Sequence, residues 1–186
     1  FESITSGNVA YELCRPVSIY NMWFARSMAR RMSRAVLRCF PILIVAVFLP
    51  DPYGLGLPKD VIAAVGFVTA MVLGLLLVCA FGMVIYMGTF YTISSAGLRM
   101  VASNVSDFLC GSIIPLPFFP DAAQTVLKIL PFASMNNAPL RIYGGDIAGN
   151  DVFFTIGLQV MWIVIFVVVG KWMEQDIKKK IVVQGG

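Results

Sequence analysis

Ser95, Arg99, Ser103 and Asp107 recur at intervals of four, with Gly111 one step further on. Positions four apart share one face of a helix, so these side chains form a polar stripe, with Asn104 beside it. Asp107 is the one acid set well inside an apolar stretch. An ionisable group in such a place is costly unless it faces protein or water. Arg99, Ser103, Asn104 and Asp107 are therefore candidates to line a translocation path or a seam between subunits. Arg99 and Asp107 stand two turns apart, roughly 12 Å along a helix axis, too far to pair directly. The plainer reading leaves Arg99 marking the membrane interface. A charge relay between Arg99 and Asp107 is a second chemistry for the same stripe.

Enzymatic chemistry has little to draw on. The chain contains no histidine, which removes His metal sites, Ser-His-Asp triads and Cys-His pairs. Neither a GxxxxGK[ST] phosphate loop nor a GxGxxG turn occurs. The carboxylate pairs and activated nucleophiles of hydrolases are missing too. Cys14, Cys39, Cys79 and Cys110 are scattered, without a CxxC pair, and read as small buried hydrophobes. No cofactor, metal or nucleic-acid partner is expected. If a nucleotide supplies energy, another chain binds it.

The elements that position the stripe follow from composition. Of the 186 residues, 59% are hydrophobic and 13% charged, against about 25% charged in a soluble domain. With a mean hydropathy of +0.83, too few charges remain to cover a water-soluble fold, and disorder is excluded by the same balance. The fold class is all-α, a polytopic helical membrane protein forming one domain over residues 1–186. Four spans are expected, at 35–49, 61–87, 92–114 and 152–170. The first is short for a span, which needs ~20 residues, and Pro41 should kink it. The second is the clearest: it carries no charge, and Gly66, Ala70, Gly74 and Gly82 mark a small-residue face for close helix packing. Residues 50–59 are a loop, 88–98 a tight turn, 121–130 a short helix starting at Asp121, and 133–151 a loop.

Arginine and lysine set the orientation. With residues 1–38 in the cytoplasm, eleven of the fourteen basic residues lie inside: Arg15, Arg26, Arg30, Arg31, Arg34, Arg38, Arg99, Lys171, Lys178, Lys179 and Lys180. Lys59, Lys128 and Arg141 lie outside. This is a strong positive-inside bias, and it places both ends of the chain in the cytoplasm.

Two segments outside the stripe are also candidates. Between Pro115 and Pro131 the chain is broken by Pro117 and Pro120, which bars a regular helix. Irregular backbone at membrane depth must be buried in protein or line a cavity. Residues 115–131 therefore read as an external re-entrant element, with Pro115, Pro117, Phe119 and Pro120 as its gate. The plainer reading is an ordinary external loop. At the other end, residues 1–14 form a short helix closed by Arg15-Pro16. A helix with Arg26, Arg30, Arg34 and Arg38 on one stripe follows. This N-terminal segment either anchors at the interface or docks a soluble partner. The chain opens on Phe1, mid-pattern and without a signal peptide, which reads as a missing N-terminal piece.

Several ordered motifs carry a resemblance. They are Gly7-x5-Leu13-x-Arg15-Pro16, the aromatic and basic run from Tyr20 to Arg31, and Gly111-Ser-Ile-Ile-Pro115-Leu116-Pro117-Phe118-Phe119-Pro120. Leu130-Pro131-Phe132, Pro139-x3-Tyr143-Gly144 and a closing Val182-Val183-Gln184-Gly185-Gly186 complete them. Together they resemble a permease subunit of the type-2 ABC transporters, in the bacterial branch of viologen and drug exporters. The resemblance implies six spans in the full fold, the first two lying before this chain. It implies that residues 1–14 are the cytoplasmic coupling helix against a separate ATPase subunit, with Glu12 and Arg15 as the contacts. Residues 115–131 would be the family's external re-entrant hairpin. A second permease copy or a related permease would complete the unit in the bacterial inner membrane. A secondary transporter or channel fragment, or a non-transporting membrane scaffold, remains the alternative.

Overall fold

The computed structural model describes residues 18–48, 60–92, 94–115 and 118–180. Expectations placed on residues 1–17, with Glu12 and Arg15, on the 50–59 loop, on Pro117 and on the tail from 181 lie outside the described residues. Among the described residues every regular element is helical and none is a strand. The helices are α1 (Ile19–Phe48), α2 (Val61–Gly88), α3 (Ser95–Leu109), α4 (Asp121–Ile129), α5 (Pro131–Gly144) and α6 (Asn150–Lys180). A 3-10 turn, Thr89–Tyr91, leaves α2 on the way to α3.

Two helices, α2 and α6, are long and apolar enough to cross a membrane. The other two expected spans take different forms. Residues 35–48 are not a separate element but the end of one continuous helix that begins at Ile19 and runs through Pro41. Helix α3 has 15 residues, about 22 Å at the α-helical rise, which is short of a ~30 Å hydrocarbon core. Thr92 is extended before it, Ser94 caps it by accepting from the Gly97 amide, and Gly111 ends the run at φ 84°. Gly111 thus leaves the polar stripe predicted to include it.

Helix α2 is the centre of the molecule, with α5, α6 and α1 around it. Its small residues act as the spacing predicts. Gly66, Ala70 and Gly74 are buried. A Cβ on Gly66 would stand 2.9 Å from Val152 of α6 and 3.4 Å from Ile142 of α5. A Cβ on Gly74 would stand 2.7 Å from the backbone oxygen of Met135. Backbones can approach this closely only where side chains are absent.

These contacts also set the register. Ile142 lies beside Gly66 and Met135 beside Gly74, while Phe132 meets Phe81 with ring centroids 5.4 Å apart. Helix α5 therefore runs antiparallel to α2 and starts near Phe81, well short of the end at Gly88. Helix α6 runs the opposite way to α5. Its Val152 lies near Gly66, its Gln159 bonds to Ala70 and Ser134, and its Phe166 meets Phe81. The turn between α4 and α5 sits at this same middle level, because the Trp162 indole donates to the Ile129 oxygen at 2.9 Å.

Helix α5 replaces what was expected to be a loop over 133–151. Its prolines suggest breakage, yet Pro131 opens the helix at its first turn, where a missing amide costs nothing. Pro139 lies inside it. There it leaves the Met135 oxygen without its usual i+4 donor, and that is the oxygen facing Gly74. Gly145, at φ 82°, closes the helix, and the Asp146 and Ile147 amides both donate to the Arg141 oxygen.

Candidate functional site

A cavity of about 710 Å³ opens between α1, α2, α3 and α5. Its size falls in the usual range for small-molecule sites, about 300–1,000 Å³. The four candidate residues Arg99, Ser103, Asn104 and Asp107 line it, while Ser95 of the same stripe does not. The opposite wall is one face of α2 at helical spacing, Val78, Phe81, Gly82 and Ile85. Between the stripe residues, the Ser103 hydroxyl donates to the Asp107 carboxylate at 3.4 Å, and the Ser106 hydroxyl turns back on the Ala102 oxygen at 2.8 Å. Asp107 is exposed on its helix rather than buried, so the cavity spares it the cost of an apolar surrounding.

Sequence reasoning missed two side chains of this wall. Arg31 reaches in from α1, its guanidinium 3.7 Å from where a Cβ on Gly82 would stand. Its signal was its register. Arg26, Arg30, Arg34 and Arg38 share one stripe, and Arg31 is one residue out of step, pointing toward α2. The second, Asn136, comes from α5 beside Met135, and was hidden by reading that segment as loop.

The cavity has a polar axis. A Cβ on Gly88 would stand 3.0 Å from Leu98, so the first turn of α3, with Arg99, sits by the Gly88 end of α2. Asp107 lies two turns further along, at the end lined by Met135 and Cys110. Arg31, beside Gly82 rather than Gly88, stands between these two levels.

On its other flank α5 borders a second, smaller cleft of about 240 Å³, lined by Lys128, Ser134, Asn137, Arg141, Asp146 and Asp151, among others. Arg141 and Asp146 approach to 3.9 Å there. Helix α5 is the partition between the two spaces. Met135 and Asn136 face the larger one, while Ser134, Asn137 and Arg141 face the smaller. Gln159, fully buried, holds this partition to α2 and α6 by donating to the Ala70 oxygen at 3.1 Å and the Ser134 oxygen at 2.8 Å. Of the expected gate residues, Phe119 lies next to it. Phe119 stacks edge-on against Phe108 at 5.7 Å, packs beside Leu127 and Ala133, and its oxygen accepts from Gln124. Pro115 and Pro120 are exposed.

A third arrangement ties the start of α1 to the end of α6. Ile19, Tyr20 and Trp23 bury one face of α1 against Met83, Met87 and Ile177. The Glu174 carboxylate, 7% exposed, accepts from the Ser18 hydroxyl at 3.1 Å and the Tyr20 amide at 3.2 Å, and pairs with Lys178 at 2.9 Å. Burial alone would raise its pKa. The bonds from Lys178, the Tyr20 amide and Ser18 outweigh that and hold it below the ordinary value. Burial and the nearby Glu174 charge push the Tyr20 phenol up to about 12. Past residue 28 the rest of α1 is largely exposed, including its arginine stripe and Cys39. The expectation of a buried thiol fails at Cys39 because no described helix packs on that part of α1. Cys79 and Cys110 are buried as expected.

Residues 1–180 match a family described as ABC-2 family transporter protein. No curated protein and no solved structure matches the chain.

Proposed function

We infer a working role from one premise: the chain belongs to the ABC-2 transporter family, the membrane components of ABC transporters. It is a permease of a type-2 ABC transporter, and such assemblies work with an ATPase. The finer reading is an exporter in the bacterial inner membrane, driven by a separate ATPase subunit and completed by a second permease copy or a related one. It moves a small or amphipathic substrate outward. In this reading α2 and α6 span the bilayer, α1 and α3 complete four spans with help from snorkelling arginines, and both chain ends are cytoplasmic. The α4–α5 pair enters from outside and returns from mid-depth as a re-entrant hairpin.

The observation that carries this reading is the partition. A large cavity with Arg99, Ser103, Asn104 and Asp107 on its wall and a cleft nearer the opposite end lie on two flanks of α5, which lines both. A helix that stops at mid-depth and is held by Gln159 and Gly74 is suited to gate between two sides. ATP hydrolysis in the partner would move the N-terminal coupling segment, through Glu12 and Arg15. The Ser18–Glu174 junction would pass that motion to α6 as a rigid-body shift. The test is co-purification with candidate ATPase subunits and measurement of ATP turnover in lipid. ATP-driven substrate movement supports the reading. Failure to associate with any ATPase, combined with transport driven by an ion gradient, overturns it in favour of a secondary transporter.

A further inference from the structure

We propose that the large cavity selects a zwitterion, a head bearing both an acidic group and an ammonium group on an apolar body. The proposal rests on reading that cavity as the substrate path. Leu98 of α3 stands beside Gly88 of α2, and the Arg31 guanidinium stands beside Gly82. Helix α3 then runs along α2 toward Val78 and Met135. Gly82 is as many residues back from Gly88 as Asn104 is on from Leu98, so Arg31 sits at the level of Asn104. Asp107 follows one turn later, roughly 4.5 Å along the axis. Arg31 from α1 and Asp107 from α3 therefore face the same stretch of the cavity. No ion pair joins them among the described residues, and Asp107 accepts a long bond, 3.4 Å, from Ser103. Arg99, nearer Gly88, is already engaged within the chain. One positive and one negative group thus share this stretch, with Phe81, Ile85 and Met100 as apolar neighbours on the wall. An ionised side chain at membrane depth is costly without a partner. A ligand carrying both charges partners both groups: its acid takes the planar fork of Arg31, and its ammonium takes Asp107. A ligand with one charge partners one group and meets a like charge at the other. The apolar neighbours suit a hydrocarbon or aromatic body, and Gly82, having no side chain, lets Arg31 lie close to the backbone of α2.

The same chemistry fits a free amphiphile or a phosphatidylethanolamine lipid that enters sideways, and one experiment separates them. The purified full chain is held in dodecyl maltoside, an uncharged detergent. Titration calorimetry against empty micelles compares three ligands on one aromatic body: naphthylalanine, naphthylpropanoate and naphthylethylammonium, a zwitterion, an anion and a cation. The zwitterion should bind about tenfold tighter than either singly charged ligand, the scale of one charge-assisted hydrogen bond. Asp107→Asn should weaken naphthylalanine by about tenfold and turn the preference to the anion. Arg31→Gln should weaken it as much and turn the preference to the cation. Opposite reversals of this kind separate ligand contact from a general loss of packing. Arg38→Gln, on the exposed stripe, should change nothing. Adding phosphatidylethanolamine to the micelles separates the sources, and both outcomes support the proposal: weaker naphthylalanine binding identifies the lipid as an occupant, and unchanged binding assigns the site to free zwitterions. Equal or tighter binding of either singly charged ligand by the wild-type chain, or no binding of any of the three, overturns the proposal even if neither variant folds. So does unaltered naphthylalanine binding in folded Asp107→Asn and Arg31→Gln proteins. These measurements need no ATPase, so loss of ATP-driven transport would sink the exporter reading and leave this one to be decided by binding alone.

Discussion

Replacing Gly74 by alanine tests the α2–α5 contact where the geometry leaves least room. The new Cβ would stand 2.7 Å from the Met135 oxygen, whereas ordinary contact begins at 3.4 Å, so the two helices must part by 0.7 Å. The obstacle is backbone, which cannot rotate aside. Gln159 spans the same gap, and its 2.8 Å bond to the Ser134 oxygen would stretch beyond the usual limit of about 3.2 Å. Overpacking of this kind costs about 1–3 kcal/mol, and a weakened hydrogen bond adds about 1 kcal/mol. Gly157→Ala is the matched control, since nothing lies within 4 Å of its would-be Cβ. Greater helix propensity should make it neutral or stabilising by up to about 1 kcal/mol. Unfolding in rising SDS, followed by circular dichroism, gives both values. A Gly74→Ala protein as stable as Gly157→Ala would refute the close backbone approach, and with it the role of Gly74 in seating α5.

Two further outcomes follow from the end of α6 that faces α1. Glu174→Ala should destabilise the chain by about 2 kcal/mol at neutral pH, since it removes a buried acceptor of charge-assisted bonds. The folded-state pKa of Glu174 is lowered. Its contribution is therefore fully present above the unfolded glutamate value, about 4.3, and is lost as pH falls through the folded value, so variant and wild-type stabilities should converge in acid. Replacing Glu12 and Arg15 together should leave assembly with the ATPase intact but separate ATP turnover from transport, measured side by side in proteoliposomes. Unchanged coupling would remove both residues from the contact.

The sequence was most readable where one residue type has one physical use. Gly66, Ala70 and Gly74 recur at four-residue spacing in a charge-free helix, and the only gain from small residues there is close packing, which is what Val152, Ile142 and Met135 do. The spacing of Arg99, Ser103 and Asp107 was equally plain, and all three share the cavity wall. The break at 88–98 and the helix start at Asp121 were legible from their own residues too. Helix α5 was not, because its prolines, asparagines and glycines argue locally for a loop. Tertiary packing reverses that: Pro131 needs no amide at a first turn, and the Met135 oxygen freed by Pro139 meets Gly74, 61 residues earlier in the chain and invisible to any local rule. Arg31 was missed for a similar reason. Its neighbours Arg30 and Arg34 define an obvious stripe, and only the position of Gly82 gives the odd residue its place.

Movement of α5, which lies between the large cavity and the smaller cleft, is the central requirement. A chain with Asn104→Cys as its reactive thiol, in a background lacking Cys14, Cys39, Cys79 and Cys110, is reconstituted with its ATPase partner and exposed to a membrane-impermeant maleimide. Labelling from the ATPase side at rest, and from the opposite side once the ATPase is trapped with nucleotide, is the predicted result. Labelling from the same side in both states would contradict it.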